Sequence, residues 1–281
     1  LGDREAALKS ALSLISEFPE EVEVLDLALE LGAEQERDVE DRSLTTLHEV
    51  AVDGPMPDGV RAEFSARVAA REVELGLHEQ ALALYRTSYR SAPSEESYAD
   101  AALAFCRGQG REEDLVEILE ELADRAWPTA RAQRFLVEAA ELYADQLEEK
   151  PKAALALGRI FELDPRDDRV AGRLYGVLKD ISDFVGLARF LETRAKNVTE
   201  VAKRIEAWRE AASVRRDELG QVSEARQAMA QAYKEAVSDF RVFDEYESIL
   251  EMLGDSEAMD NLYRTELMRG VGRGDDGQRL R

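Results

Sequence analysis

A short pattern returns along this chain about every 34 to 38 residues, and that recurrence limits the fold more than any other feature. Each copy combines an apolar-small pair, an amphipathic stretch and, often, a proline. The pair reads Leu1-Gly2, Leu31-Gly32, Leu75-Gly76, Leu219-Gly220 and Leu253-Gly254. A unit of this length cannot bury its own apolar face, so copies stack and each touches only its neighbours. The expectation is an all-α stack of helix pairs that holds other molecules, without an enclosed reaction chamber.

Composition agrees with helix. Alanine, leucine, glutamate and arginine dominate, and all are good helix formers. Alternation at strand period is scarce, and the 7 prolines fall between helices. Within the copies the spacing is specific. Ala81 is followed by Tyr85 and then Pro93, Ala7 by Ala11 and Pro19, and Ala153 by Leu157 and Pro165. The first helix of a unit shows Leu136, Ala139-Ala140 and Tyr143, and less fully Trp208, Ala211-Ala212 and Arg215. This resembles the tetratricopeptide repeat, whose signature is W-x2-L-G-x2-Y, then A-x3-F, then P. The physical sense is packing. Small residues at Ala69, Ala140, Ala212 and Ala81 let two helices approach closely. A larger residue one turn on fills the groove, and proline ends the second helix.

The copies diverge. One more residue separates Ala140 from Ala153, and Ala212 from Ala225, than separates Ala69 from Ala81. The tryptophan in Trp208-Arg209-Glu210-Ala211-Ala212 leaves open the half-a-tetratricopeptide type, which has the same architecture. The resemblance implies an α-α superhelix of about eight helix pairs, the first incomplete. It also implies that the first helix of each pair lines a concave groove, where related proteins hold extended peptides or a partner's helix.

Along the chain, Asp3 to Glu17 reads as a second helix without its first, and Glu20–Leu31 pairs with Ala33–Val52. The cluster Asp53-Gly54-Pro55-Met56-Pro57-Asp58-Gly59 is the strongest breaker. It divides an acidic N-terminal part, residues 1–58, from the main solenoid, residues 59–270, with 271–281 as a polar, flexible tail. The later pairs are Val60–Gly76 with His78–Ser91, Glu95–Gly108 with Arg111–Ala126, and Thr129–Leu147 with Pro151–Leu163. After them come Asp167–Asp180 with Asp183–Lys196, Thr199–Leu219 with Val222–Val237, and Phe240–Leu253 with Ser256–Arg269. Ser94 and Thr199 have the chemistry of N-caps, and Gly270 of a C-cap.

The net charge of −23 is uneven, because residues 1–58 hold 16 carboxylates against 4 cationic side chains. Such a field repels nucleic acid and attracts basic surfaces, unless it serves only to solvate helix faces. No apolar run of 18 or more residues is present, so no direct membrane insertion is expected, and no signal peptide is visible. The expected compartment is the cytoplasm. The chain starts at Leu1, and Leu1-Gly2 reads as the end of an earlier helix. It is therefore expected to be a piece of a longer protein or a processed form, and a targeting signal would lie outside it. The open N-terminal end, with Leu8, Leu12 and Ile15 lacking a partner helix, would permit self-association.

Chemistry is scarce. His48 and His78 share no metal-ligand spacing with each other or with Cys106, which sits at an apolar helical position as a core residue. The carboxylates come as surface pairs such as Glu112-Glu113 and Glu148-Glu149, which an open groove does not shift toward acid–base work. The glycines of Gly270-Val271-Gly272-Arg273-Gly274 follow no strand, so they are no phosphate loop, and Arg273-Gly274-Asp275 in a tail carries little weight. No enzyme activity, no cofactor and no metal is expected.

The groove implied by the resemblance would present Asp100, Arg107, Arg134, Glu141, Arg169, Lys179, Arg209, Arg216, Arg241 and Asp244. Relatives that grip a chaperone's acidic C-terminus use paired lysines and asparagines. Here Ala66, Val137, Gly172 and Arg209 stand at the lysine-like positions, and Ala70, Glu141, Gly176 and Ser213 at the asparagine-like ones. Chaperone co-factor work is therefore not expected. The arginines from Arg107 to Arg241 would take an acidic peptide or helix by forked hydrogen bonds, or else pair with carboxylates of the solenoid itself. The function expected is a scaffold that recruits partner proteins or peptides. The alternative is a regulatory module of a larger enzyme or transcription regulator.

Overall fold

The computed structural model describes residues 2–236 and 239–271 and contains only helices among them. A lone helix, α1 (Gly2–Glu17), precedes seven pairs: α2 (Val22–Ala33) and α3 (Arg37–Asp53), α4 (Asp58–Glu74) and α5 (His78–Ser91), α6 (Glu96–Gln109) and α7 (Glu112–Ala126). Next come α8 (Ala130–Asp145) and α9 (Lys150–Leu163), then α10 (Asp168–Asp180) and α11 (Phe184–Asn197). The last are α12 (Val201–Ser213) and α13 (Val222–Glu235), and α14 (Phe240–Leu253) and α15 (Ser256–Val271). The chain divides into two compact units, Leu1–Ala139 and Ala140–Arg281. Within each, consecutive helices pack on one another, and from α1 to α6 a helix also touches the next but one, as a nearest-neighbour repeat requires.

The turn inside each pair from α4 onward holds one residue in the left-handed region. These residues are Gly76, Gly110, Glu148, Ser182, Gly220 and Gly254, with φ between 54 and 78°. Their spacing alternates, 34, 38, 34, 38 and 34 residues. In four of them the chain closes over five residues, as in Leu77 N–H to Glu72 O at 2.8 Å and Arg111 N–H to Cys106 O at 3.0 Å. At Glu148 and Gly220 it closes over six, through Glu149 N–H to Tyr143 O at 2.8 Å and Gln221 N–H to Arg215 O at 2.7 Å. The additional residue noted between the alanines is absorbed there, and at Val214–Glu218 it winds one turn of π-helix.

The core alternates with the same rhythm. Five, nine and thirteen residues after the turn stand Ala81, Tyr85 and Tyr89, then Leu115, Leu119 and Ala123, then Ala153, Leu157 and Phe161. They are followed by Leu187, Leu191 and Ala195, and by Ala225, Met229 and Tyr233. Except for half-buried Tyr85, all are buried. Alanine first and aromatic last thus alternates with leucine first and alanine last, so the unit that repeats is two pairs, 72 residues. The aromatic ends are well engaged. Tyr89 donates to Glu121 Oε2 at 2.7 Å, the Phe161 and Phe190 rings lie 4.8 Å apart, and Tyr233 stands 5.5 Å from Tyr246. The surface keeps the period too: Arg131 meets Glu96 at 2.6 Å, and 72 residues on Lys203 meets Asp168 at 3.1 Å.

Several expectations are corrected. Gly32 is no hinge. It lies buried inside α2, where an added Cβ would stand 3.2 Å from Ser43 Oγ of α3. Gly2 begins α1. Leu8 and Ile15 are buried at 2% and 1% exposure and Leu12 is half-buried, and the large apolar side chains left exposed here are Leu14 on α1 and Phe18 just after it. Glu95 and Glu200, not Ser94 and Thr199, occupy the N-caps of α6 and α12. Side-chain caps come from Asp167, Asp183 and Asp239, which compete less with helix outside its interior. Gly270 lies within α15, which runs to Val271; residues 272–281, with Arg273-Gly274-Asp275, lie outside the described residues. The breaker cluster shrinks to a link, residues 54–57, inside the first unit. There the Arg61 guanidinium bonds to the carbonyls of Ala51, Val52 and Gly54 at 2.7–2.8 Å and closes the end of α3.

Candidate partner-binding surface

The first helices carry the candidate residues because their apolar stripe is spent on packing and leaves charge outside. In the first unit Arg107 on α6 forks onto Glu138 of α8, with Nε to Oε1 at 2.9 Å and Nη2 to Oε2 at 3.0 Å. Asp100 on α6 and Arg134 on α8 are exposed, and among the described residues neither side chain has an ionic partner. In the second unit Glu141 accepts from Arg173 Nη1 at 2.6 Å. Arg169 on α10 is exposed with its guanidinium unpaired among the described residues. Lys179 lies 5.6 Å from the centre of the Tyr175 ring, a cation–π contact. Arg241 is 77% exposed and reaches only 3.8 Å from Asp239, while Asp244 is exposed beside it.

Two of the candidates meet in one cleft of about 470 Å³, which α10, α12, α13 and α14 line in the second unit. Tyr175, Glu210, Arg209, Ser213, Arg216 and Glu245 form much of its wall. Arg209 forks onto Glu245, with Nε to Oε2 at 2.7 Å and a second bond from Nη2 to Oε1. The Glu245 bond raises the affinity of Arg209 for its proton, against burial. Arg216 forks onto its neighbour Asp217 at 2.6 and 2.8 Å, and Ser213 donates to the same carboxylate at 2.9 Å. The bond from Arg216 pulls the Asp217 carboxyl below its ordinary range despite burial. Tyr175 donates to Glu210, which together with burial raises the phenol. The π-turn sorts neighbouring arginines, since Arg215 Nε turns to Glu192 of α11 at 2.5 Å while Arg216 enters the cleft.

Both readings of the arginines are therefore present in different places. Arg107, Arg209 and Arg216 are held by the protein's own carboxylates, and among the described residues Arg134 and Arg169 are not. Glu138, Glu210 and Glu245, the partners across the cleft and along the first helices, were missed from the sequence. The signal was there: a cation or phenol and a carboxylate one repeat apart, 31, 35 and 36 residues in Arg107–Glu138, Tyr175–Glu210 and Arg209–Glu245.

Elsewhere, His48 Nδ1 lies 2.9 Å from Glu72 Oε1, and burial raises the Glu72 carboxyl although that bond opposes it. Burial pushes the Cys106 thiol up to about 11. Among the described residues no group of three or more histidine, cysteine or acidic side chains is arranged to hold a metal ion. No described helix is long and apolar enough to cross a membrane.

No protein-family model matches the chain, and no curated protein matches it. Among solved structures, a chain of the Naa15/Naa10 complex bound to HypK-THB aligns at 14% identity and a TM-score of 0.40. The match covers 95% of this chain, which spans only 37% of that one. A tetratricopeptide repeat protein from Parabacteroides merdae aligns at 12% identity and a TM-score of 0.31, over 96% of this chain and 94% of that one. TTC0263, a thermophilic TPR protein of Thermus thermophilus, aligns at 18% identity and 0.27, over 67% and 98%. The paired helices, the buried Ala69, Ala81, Ala140, Ala153, Ala212 and Ala225, and the left-handed turn in six successive pairs make this fold a tetratricopeptide-like helical repeat.

Proposed function

We propose that the chain is a non-enzymatic scaffold that recruits partner proteins or peptides through the charged faces of its first helices. The observation that carries this reading is the Arg209–Glu245 fork in the cleft of the second unit. A carboxylate already sits there in the two-bond geometry that guanidinium groups select. An acidic side chain of a partner exchanges with Glu245 at Arg209, and the unpaired Arg169 supplies a further contact on the same unit. On the first unit the unpaired Arg134 offers a separate one.

The exchange sets the affinity. A hydrogen bond to a charged group contributes about 1.5–3 kcal/mol, and giving up the Glu245 bonds offsets much of what the partner gains. Peptides selected from a random library against the immobilised chain should be acidic. Replacing Arg134, Arg169 and Arg209 with alanine should abolish their binding, and Glu245→Gln should tighten it by freeing the fork. Unchanged binding in the triple variant refutes the assignment of this surface.

A further inference from the structure

In the first unit, where α5 and α7 end and α6 and α8 begin, the chain encloses a hole of about 200 Å³. Its floor is apolar. Ala99 of α6 and Leu122 of α7 are buried there, and the half-buried ring of Phe135 on α8 closes one side. Its rim carries charge of both signs. The guanidinium of Arg125 stands 5.5 Å from the centre of the Tyr89 ring, donates to Glu121 at 2.7 Å and reaches the Tyr89 carbonyl at 3.5 Å. Glu121 also accepts from Tyr89 and Arg90, so one carboxylate serves two arginines and leaves positive charge over. The guanidinium of Arg131 stands 5.4 Å from the centre of the Phe135 ring and donates to Glu96 at 2.6 Å. Both guanidinium groups carry more N–H donors than these bonds use. The bond to Glu96 sets Arg131 next to the start of α6, where Glu95 is the N-cap residue. Glu95 is exposed, lines the hole and makes no capping bond, and among the described residues its carboxylate has no ionic partner.

We infer that this hole binds a free α-amino acid whose side chain is apolar and of leucine to phenylalanine size. Apolar walls with a few convergent polar groups are what a small-molecule site requires. The size follows from the volume, since an apolar cavity of about 150 Å³ holds a benzene ring. The head group follows from the rim. A carboxylate meets the spare N–H donors of Arg125 and Arg131, and an ammonium meets Glu95. An apolar acid without an amine would set its carboxylate against Glu95, and an apolar amine would leave both arginines unanswered. The end of a polypeptide has the carboxylate, but its nitrogen is a neutral amide and gives Glu95 no charge to pair with. A zwitterion on an apolar side chain satisfies floor and rim together. None of Arg134, Arg169 and Arg209 lines the hole, so this site and the recruitment of acidic partners stand or fail separately.

Titration calorimetry of the 281-residue chain with L-leucine and with L-phenylalanine tests this. At least one should bind saturably with a Kd below about 1 mM. Leucinamide lacks the carboxylate and N-acetyl-L-leucine lacks the ammonium, and each should bind at least about tenfold more weakly, the scale of losing one charged hydrogen bond. Glu95→Gln should weaken the amino acid by a similar factor while narrowing its advantage over N-acetyl-L-leucine, a change that a merely structural role would not produce. Ala126→Phe, at a half-buried wall position, should fill the hole and abolish binding. Circular dichroism checks that this variant folds, and should it fail to fold, Glu95→Gln at its exposed position decides the matter. No saturable binding of either amino acid up to about 1 mM overturns the inference. So does N-acetyl-L-leucine binding as tightly as L-leucine, which would make the hole a reader of polypeptide ends, or binding indifferent to Glu95→Gln.

Discussion

The alternating turn makes a direct prediction about stability. Six turns hold a residue at positive φ, four are glycine, and two are Glu148 at 54° and Ser182 at 56°. A left-handed L-residue costs about 1–2 kcal/mol from the approach of Cβ to its carbonyl. Glycine avoids that, but forfeits roughly 0.5–1 kcal/mol through the freedom it loses on folding. Both residues are exposed at the turn, so little packing is lost with their side chains. Glu148→Gly and Ser182→Gly should therefore each stabilise the protein by about 0.5–1 kcal/mol. The reverse changes, Gly76→Ala and Gly220→Ala, should destabilise by a similar amount. The reason is conformational alone, since a Cβ at either site meets no atom within 4 Å. Urea unfolding followed by circular dichroism measures all four, and heating should move the melting point by about 2–4 °C per kcal/mol for a body this size. Destabilisation by the new glycines together with neutral alanine variants would show that these turns do not fix the register of the pairs.

Two other outcomes follow from buried polar groups. Ser65 is fully buried on α4 and among the described residues its hydroxyl has no hydrogen-bond partner, so Ser65→Ala should be neutral or stabilise by about 1 kcal/mol in the same unfolding assay. Glu121 accepts from Tyr89, Arg90 and Arg125, and these bonds outweigh burial and hold its carboxyl below the ordinary 4.5. Its contribution is thus complete above that ordinary value and is lost as pH falls through the lowered one, so the stability gap between the native chain and Glu121→Gln should close on the acid side of 4.5 and stay constant from pH 6 to 8.

The helix pairs were legible because Ala81, Ala153 and Ala225 obey a spacing set by close approach, and a Cβ-sized gap tolerates few substitutes. All three belong to alternate pairs. The intervening pairs put Leu115 and Leu187 at the same place and return the space through Ala123 and Ala195, a compensation between positions that a one-pair template does not register. The turns at Glu148 and Ser182 escaped notice for a related reason, since nothing in those side chains announces a positive φ. Gly32 misled in the opposite sense: its neighbour Leu31 imitates the hinge, yet its role is to admit Ser43. Of the candidate surface, the cationic side was readable from Arg209 and Arg216. Their carboxylates come from the adjacent residue, Asp217, and from the next repeat, Glu245, and with 60 acidic residues in the chain no single partner stood out.

The 72-residue rhythm also bears on how such a chain can grow or shrink. Deleting or duplicating two consecutive pairs would keep each aromatic-ended helix next to a leucine-first one and bring each wide turn back to its place. Removing a single pair would place two pairs of the same kind side by side, alanine-first beside alanine-first or leucine-first beside leucine-first, and break the alternation. Lengthening by evolution or by design is therefore quantised in four-helix steps.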